Sequence, residues 1–148
     1  MTPPEPVIDA TQIHDVGVFA SNLLGAEQAD SSFGIVSLCR MEDRLQHVPH
    51  RREFYILDKW GGGENPHLAA VTKDAVDTIE AFLSEGRQVL VHCHGGRSRT
   101  GFILKAWYMQ RYGVDHDEAH DWIVARWPHY ATWNTDFDDF LNNDWGTK

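Results

Sequence analysis

Residues 89–101, VLVHCHGGRSRTG, constrain the fold more than any other stretch of this 148-residue chain. Gln88–Val89–Leu90–Val91–His92 is an apolar run of the kind found in a strand covered on both faces of its sheet. A turn containing Gly95 and Gly96 follows, and then Arg97–Ser98–Arg99–Thr100. From about Thr100 to Tyr112 the chain is apolar almost all round, which predicts a central, buried helix stopped by Gly113. In such a strand–loop–helix unit the N–H groups of the loop converge on a space the size of an anion. The helix N-terminus adds roughly half a unit of positive charge. Glycine lets the backbone approach a ligand with no Cβ in the way.

Cys93 stands at the base of this predicted nest. A free thiol titrates near 8.5, and a helix N-terminus with a cationic neighbour can bring that down to about 3.5–7.5. Both are present here, so the expectation is a thiolate among N–H donors, a nucleophile suited to phosphorus. Arg99, six residues on, offers a planar fork for two oxygens of a phosphoryl group, which lysine cannot imitate.

The remainder of the chain reads as one α/β layered domain over residues 1–148, with loose ends at 1–6 and 145–148. Strand candidates are Val7 to Thr11, Gly17 to Ala20, Gly34 to Leu38 and Glu53 to Leu57. Leu68, Val71, Ala75, Ile79, Phe82 and Leu83 recur at helical spacing up to Gly86, where a C′ glycine belongs. Asp115 and Glu118 make a capping box for a helix that buries Ala119, Trp122 and Ile123 and ends before Trp127–Pro128. A last short helix carries Phe137, Phe140 and Leu141. Strands alternating with helices predict a central, mostly parallel sheet of four or five strands with helices on both faces.

Composition narrows the function. Apolar residues make up 42% and charged residues 24%, an ordinary globular balance. No apolar run approaches the roughly 18–20 residues that span a bilayer, and MTPPEPVIDA is no secretory signal. Two cysteines, Cys39 and Cys93, are too few for a disulfide scaffold and read as reduced thiols, so a cytoplasmic monomer without a membrane partner is expected. Of the net charge of −9, residues 1–114 carry −3 (14 acids, 11 bases) and residues 115–148 carry −6 (8 acids, 2 bases). That acidic quarter reads as solvated helix faces. With no basic stripe to release counterions, nucleic acid is not an expected partner.

Cys-x5-Arg followed by Thr, preceded by His92 and with Gly96 in the loop, resembles the signature of the cysteine-based protein tyrosine phosphatases. Chain length, motif position and the apolar helix after the loop resemble the compact dual-specificity branch. The resemblance implies Cys93 as nucleophile, Arg99 as phosphate clamp, Thr100 as the hydroxyl that eases thiolate departure, and His92 as the group that orients and helps activate the cysteine. His94, Gly95, Gly96, Arg97 and Ser98 then bind substrate, mainly through backbone donors. The branch carries its general acid after an upstream strand, where FYILD places Asp58. Asp9, Asp43 and Glu64 are rivals. Gly61–Gly62–Gly63 reads as a hinge for loop closure, and Trp60 as a wall of the site. Cys39 reads as a buried structural thiol, or as similar to a second cysteine that in some members of the branch traps an oxidised nucleophile as a disulfide. No cofactor or metal is implied. The expected partner is a phosphorylated protein or a small phosphorylated ligand.

Hydrolysis of a phosphotyrosine, phosphoserine or phosphothreonine protein is the leading reading. A non-protein phosphate such as an RNA 5′ end or an inositol phosphate is the alternative. RWPHYATWNTDF is also similar to phosphatase modules joined to ADP-ribosylglycohydrolases, which keeps ADP-ribose-type phosphates in view. A third reading is a binding module without turnover. His116 and His120 read as part of a solvated helix face, and Trp107, Trp122 and Trp127 as core; Asn134 reads as an N-cap or, through Trp133–Asn134, loosely resembles an asparagine near that point in the family.

Overall fold

The computed structural model describes residues 6–58 and 65–146. Its elements are β1 (Thr11–His14), β2 (Val18–Ser21), α1 (Leu23–Glu27), β3 (Gly34–Ser37), β4 (Arg51–Glu53), α2 (Leu68–Ser84), β5 (Val89–His92), α3 (Ser98–Tyr112), α4 (His116–Arg126) and α5 (Thr135–Asn143). The strands form one sheet in the order β1-β2-β5-β3-β4, parallel except for the β1–β2 pair. β5 is central, and all four of its residues are buried.

Alternation along β5 divides the core. Val89 and Val91 face the side covered by α2, α3, α4 and α5, while Leu90 and Ile35 face α1 and the irregular chain around Met41, Leu45 and Val48. α3 is buried along most of its length, including Phe102, Ile103, Leu104, Ala106 and Trp107. α2 ends in a Schellman arrangement: the Arg87 amide donates to the Phe82 carbonyl (3.1 Å) and that of Gly86, at φ +81°, to Leu83 (2.9 Å). Asp115 caps α4 by accepting from the Glu118 amide at 2.9 Å. Among the described residues no helix is long and apolar enough to cross a membrane.

Two strands lie elsewhere than the sequence pattern places them. Pairing at the β4 edge ends once the Phe54 amide has donated to the Ser37 carbonyl (2.8 Å), because backbone groups further on bond to side chains. The Leu57 amide and carbonyl pair with Asn65 (2.8 Å each), and the Ile56 carbonyl accepts from Arg99 (3.2 Å). Likewise the Ile8 amide is taken by Asn22 Oδ1 (3.1 Å), and β1 begins only at Thr11. Five-residue α1 is too short for periodicity to show. Asn22 caps it, accepting from the Gly25 amide at 2.9 Å, and a Cβ on Gly25 would overlap the Ile8 carbonyl. His116 departs from a solvated-face reading: it is buried, and its Nε2 accepts from the Lys105 ammonium at 2.9 Å.

Candidate active site

The loop from Cys93 to Ser98 is held in a vice. On one side the Leu23 amide, at the start of α1, donates to the His94 carbonyl (3.1 Å). On the other, the Trp127 indole N–H donates to the Gly96 carbonyl (2.7 Å). Gly96 has φ +73°, and a Cβ there would sit 2.7 Å from the Ser21 carbonyl oxygen, so both conformation and space require glycine. The amide groups of Gly95, Gly96, Arg97 and Ser98 make no bond to any other described residue. They are the open donors that a nest needs.

Cys93, Asp58, Arg99 and Ser98 line one shallow pocket of about 170 Å³ with Arg97 and Trp133. Cys93 follows β5 directly and is buried. His92 points to the opposite face of the sheet. Its Nδ1 lies 3.2 Å from the Cys93 carbonyl and its Nε2 2.7 Å from Ser37 Oγ. A carbonyl only accepts, so Nδ1 carries the proton and Ser37 donates to Nε2. Burial, helped by Arg99, pushes the imidazole down to about 4. His92 is therefore neutral near pH 7, and its contact is with the backbone of the cysteine.

Arg99 Nη1 donates to the carbonyls of Leu38 (3.0 Å) and Ile56 (3.2 Å). Its Nε and the Thr100 hydroxyl are buried with no partner among the described residues. An unpaired buried donor is costly, on the order of 1–3 kcal/mol, and an oxyanion in the loop would satisfy the first.

Asp58 is oriented by two donors on one oxygen: Ser98 Oγ and Asn134 Nδ2 each reach Oδ1 at 3.1 Å. Ser98 has one hydroxyl proton and directs it to the carboxylate, so Thr132 Oγ1 donates to Ser98 Oγ at 2.8 Å. Oδ2 is left without a bond to another described residue. The sequence match for Asp58 thus acquires a geometry. Asp9 and Asp43 are exposed and line no part of this pocket, while Trp60, Gly61–Gly63 and Glu64 lie outside the described residues.

Cys39 is half-buried in a neighbouring cavity of about 440 Å³ that also touches Arg99. Its Sγ lies 3.9 Å from Met41 Sδ, and burial pushes its thiol up to about 11. A thiol protonated at neutral pH attacks sulfenic acid slowly. His94 and Arg97 are exposed at the rim.

Sequence reasoning missed four contributors. Ser37 fixes the His92 ring, Thr132 fixes Ser98, Trp127 fixes Gly96, and Trp133 lines the pocket. Asn134 caps α5 as expected, accepting from the Asp136 amide at 3.2 Å, and the same side chain holds Asp58. None carries a signal in sequence, since each acts across a tertiary contact.

A cysteine, an arginine and an amide-lined loop between a buried parallel strand and a buried helix define the class of cysteine-based phosphatase folds. Residues 20–139 match the family model for the dual specificity phosphatase catalytic domain, and the chain belongs to that family. It is 30% identical over 80 residues to a probable tyrosine-protein phosphatase of Candida albicans, covering 52% of this chain and 12% of that protein. To dual specificity protein phosphatase 2 of Mus musculus it is 36% identical over 59 residues, covering 40% of this chain and 19% of the other. The chain therefore matches only a small part of those relatives' length. Among solved structures, the active form of Tk-PTP has a TM-score of 0.73 at 22% identity, covering 90% of this chain and 93% of that one. Human DUSP28 has a TM-score of 0.70 at 19% identity, covering 95% of both chains. These two share the fold.

Proposed function

We propose that this protein hydrolyses phosphomonoesters through a phosphocysteine intermediate, with phosphorylated tyrosine, serine or threonine residues of proteins as substrates. The observation that carries this reading is the pairing of Cys93 with an Asp58 carboxyl already oriented over the same pocket by Ser98 and Asn134.

In the first step Cys93 Sγ forms a bond to phosphorus as the bond to the ester oxygen breaks. Asp58 gives that oxygen its proton, an effect of typically 10²–10⁴-fold. In the second step Asp58 takes a proton from water, the water oxygen bonds to phosphorus, and the S–P bond returns its electrons to Cys93. Arg99 and the open loop amides hold the equatorial oxygens throughout. Thr100 donates its hydroxyl to the departing sulfur. His92 acts as a positioning residue through the Cys93 carbonyl.

A panel of phosphopeptides, inositol phosphates, RNA 5′ phosphates and ADP-ribose-type phosphates tests the reading. Cys93→Ser is expected to abolish turnover, and Asp58→Asn to reduce kcat roughly 10²–10⁴-fold. Turnover of a non-protein phosphate well above that of phosphopeptides moves the substrate to the small-molecule class. Phospholigand binding without turnover by the unaltered protein makes it a binding module instead.

A further inference from the structure

Trp133 is 78% exposed, an unusual setting for the largest apolar side chain, yet its neighbours in the chain are pinned. Thr132 bonds to Ser98 (2.8 Å) and accepts from the Asn134 amide (3.0 Å), and Asn134 bonds to Asp58 (3.1 Å). Three residues earlier the Tyr130 ring rests on Gly101, and its hydroxyl accepts from the fully buried Lys105 ammonium at 2.8 Å. The backbone under the indole is thus tied on both sides to the groups that shape the pocket, and the indole itself lines it.

Position fixes what such a ring can meet. A phosphoryl group bound to the loop amides and Arg99 directs its ester oxygen toward Asp58, because that carboxyl must reach the oxygen. Asn134, the next residue after Trp133, is bonded to Asp58. The organic part of the substrate therefore leaves the pocket on the Trp133 side. A pocket of about 170 Å³ encloses little beyond the phosphoryl group, so the leaving group meets the rim.

We infer that Trp133 is a specificity-determining residue whose indole stacks on an aromatic leaving group, making the site select aryl over alkyl phosphomonoesters. The inference rests on the phosphatase reading for where the ester oxygen points, and it narrows that reading to phosphotyrosine-type substrates. An aromatic pair contributes beyond simple burial by an amount equivalent to roughly a three- to tenfold preference. The pinned backbone keeps the ordering cost of that contact small.

The test has two arms. In the first, the unaltered protein, Trp133→Ala, Trp133→Phe and Trp133→Leu are compared on one peptide carrying phosphotyrosine or phosphothreonine at the same position. The aryl-to-alkyl ratio of kcat/KM is expected to fall roughly three- to tenfold for Ala and Leu and to be largely kept by Phe. In the second, Cys93→Ser protein with and without Trp133→Ala is titrated calorimetrically with phenyl phosphate and ethyl phosphate. The phenyl preference is expected to fall by the same factor. Absence of turnover of both peptides by the unaltered protein overturns the protein-phosphatase reading, while the second arm still decides the role of Trp133. Phenyl phosphate bound no better than ethyl phosphate, or a ratio that Trp133→Ala does not move in either arm, overturns the stacking assignment. Loss of the aryl-to-alkyl preference on the peptides with Leu but not Phe supports stacking over mere apolar bulk.

Discussion

Arg99 and Cys39 border the same cavity, and their surroundings give them opposite chemistry. The guanidinium commits Nη1 to two carbonyls, from Leu38 and Ile56, and its Nε is buried without a partner among the described residues. A planar fork can serve the fold with one end and an anion with the other, and a lysine ammonium cannot. Cys39 has no such support. Burial raises its thiol to about 11, with Cys93 and Glu53 adding to the rise and Arg99 opposing it. In a Cys93→Ser protein, iodoacetamide is therefore expected to label Cys39 only slightly at pH 7, with the rate climbing as pH rises toward about 11. Peptide mass spectrometry after timed quenching checks this. Rapid labelling at pH 7 would restore Cys39 as a competent trap for an oxidised nucleophile.

At the scale of elements, the site depends on how the chain between α4 and α5 sits on the start of α3. Gly101 is the contact point, since any Cβ there would overlap the Tyr130 ring. Gly101→Ala must push that ring, and with it Thr132, Trp133 and Asn134, away from Ser98 and Asp58. The expected cost is about 1–3 kcal/mol of stability from overpacking, together with a lower kcat from a misplaced Asp58. Urea denaturation and steady-state kinetics on the same preparation check it, and unchanged values in both would mean the segment does not position the acid. The sequence was informative where structure is local. The β5–loop–α3 unit, the Gly86 and Gly113 stops and the Asp115 cap are each written in adjacent residues. The end of β4 was not legible, because Asn65 and Arg99 decide where the backbone of Ile56 and Leu57 turns. Asp58 is singled out by the family resemblance, from its place after an apolar run, whereas its holders Ser98 and Asn134 come from 40 and 76 residues away. The burial of His116 is not legible in sequence, because its partner Lys105 lies on another helix, in a stretch that is otherwise mostly apolar.

Across the whole molecule, the sheet has the Cys93 thiol directed to one face and the buried His92 imidazole to the other, joined by one peptide bond. His92 bridges β5 to β3 through Ser37, so its protonation state concerns the centre of the fold as well as the loop. In the unfolded chain an imidazole binds its proton near 6.5, whereas burial holds that of His92 to about 4. Between these values the unfolded state binds more protons, so stability rises with pH. The contribution is complete above about 6.5 and is lost as pH falls toward 4. His14 and His116, also lowered chiefly by burial, act in the same direction. Carboxylates add a further acid dependence, so the His92 share must be read as a difference. His92→Asn keeps a hydrogen-bonding side chain and removes the titration. Between pH 7 and pH 5 the unaltered protein is expected to lose about 2 kcal/mol more than His92→Asn, as measured by urea denaturation at each pH. Equal losses would mean that His92 takes up its proton without opening the fold, and that the Ser37–His92–Cys93 chain does not hold the ring neutral.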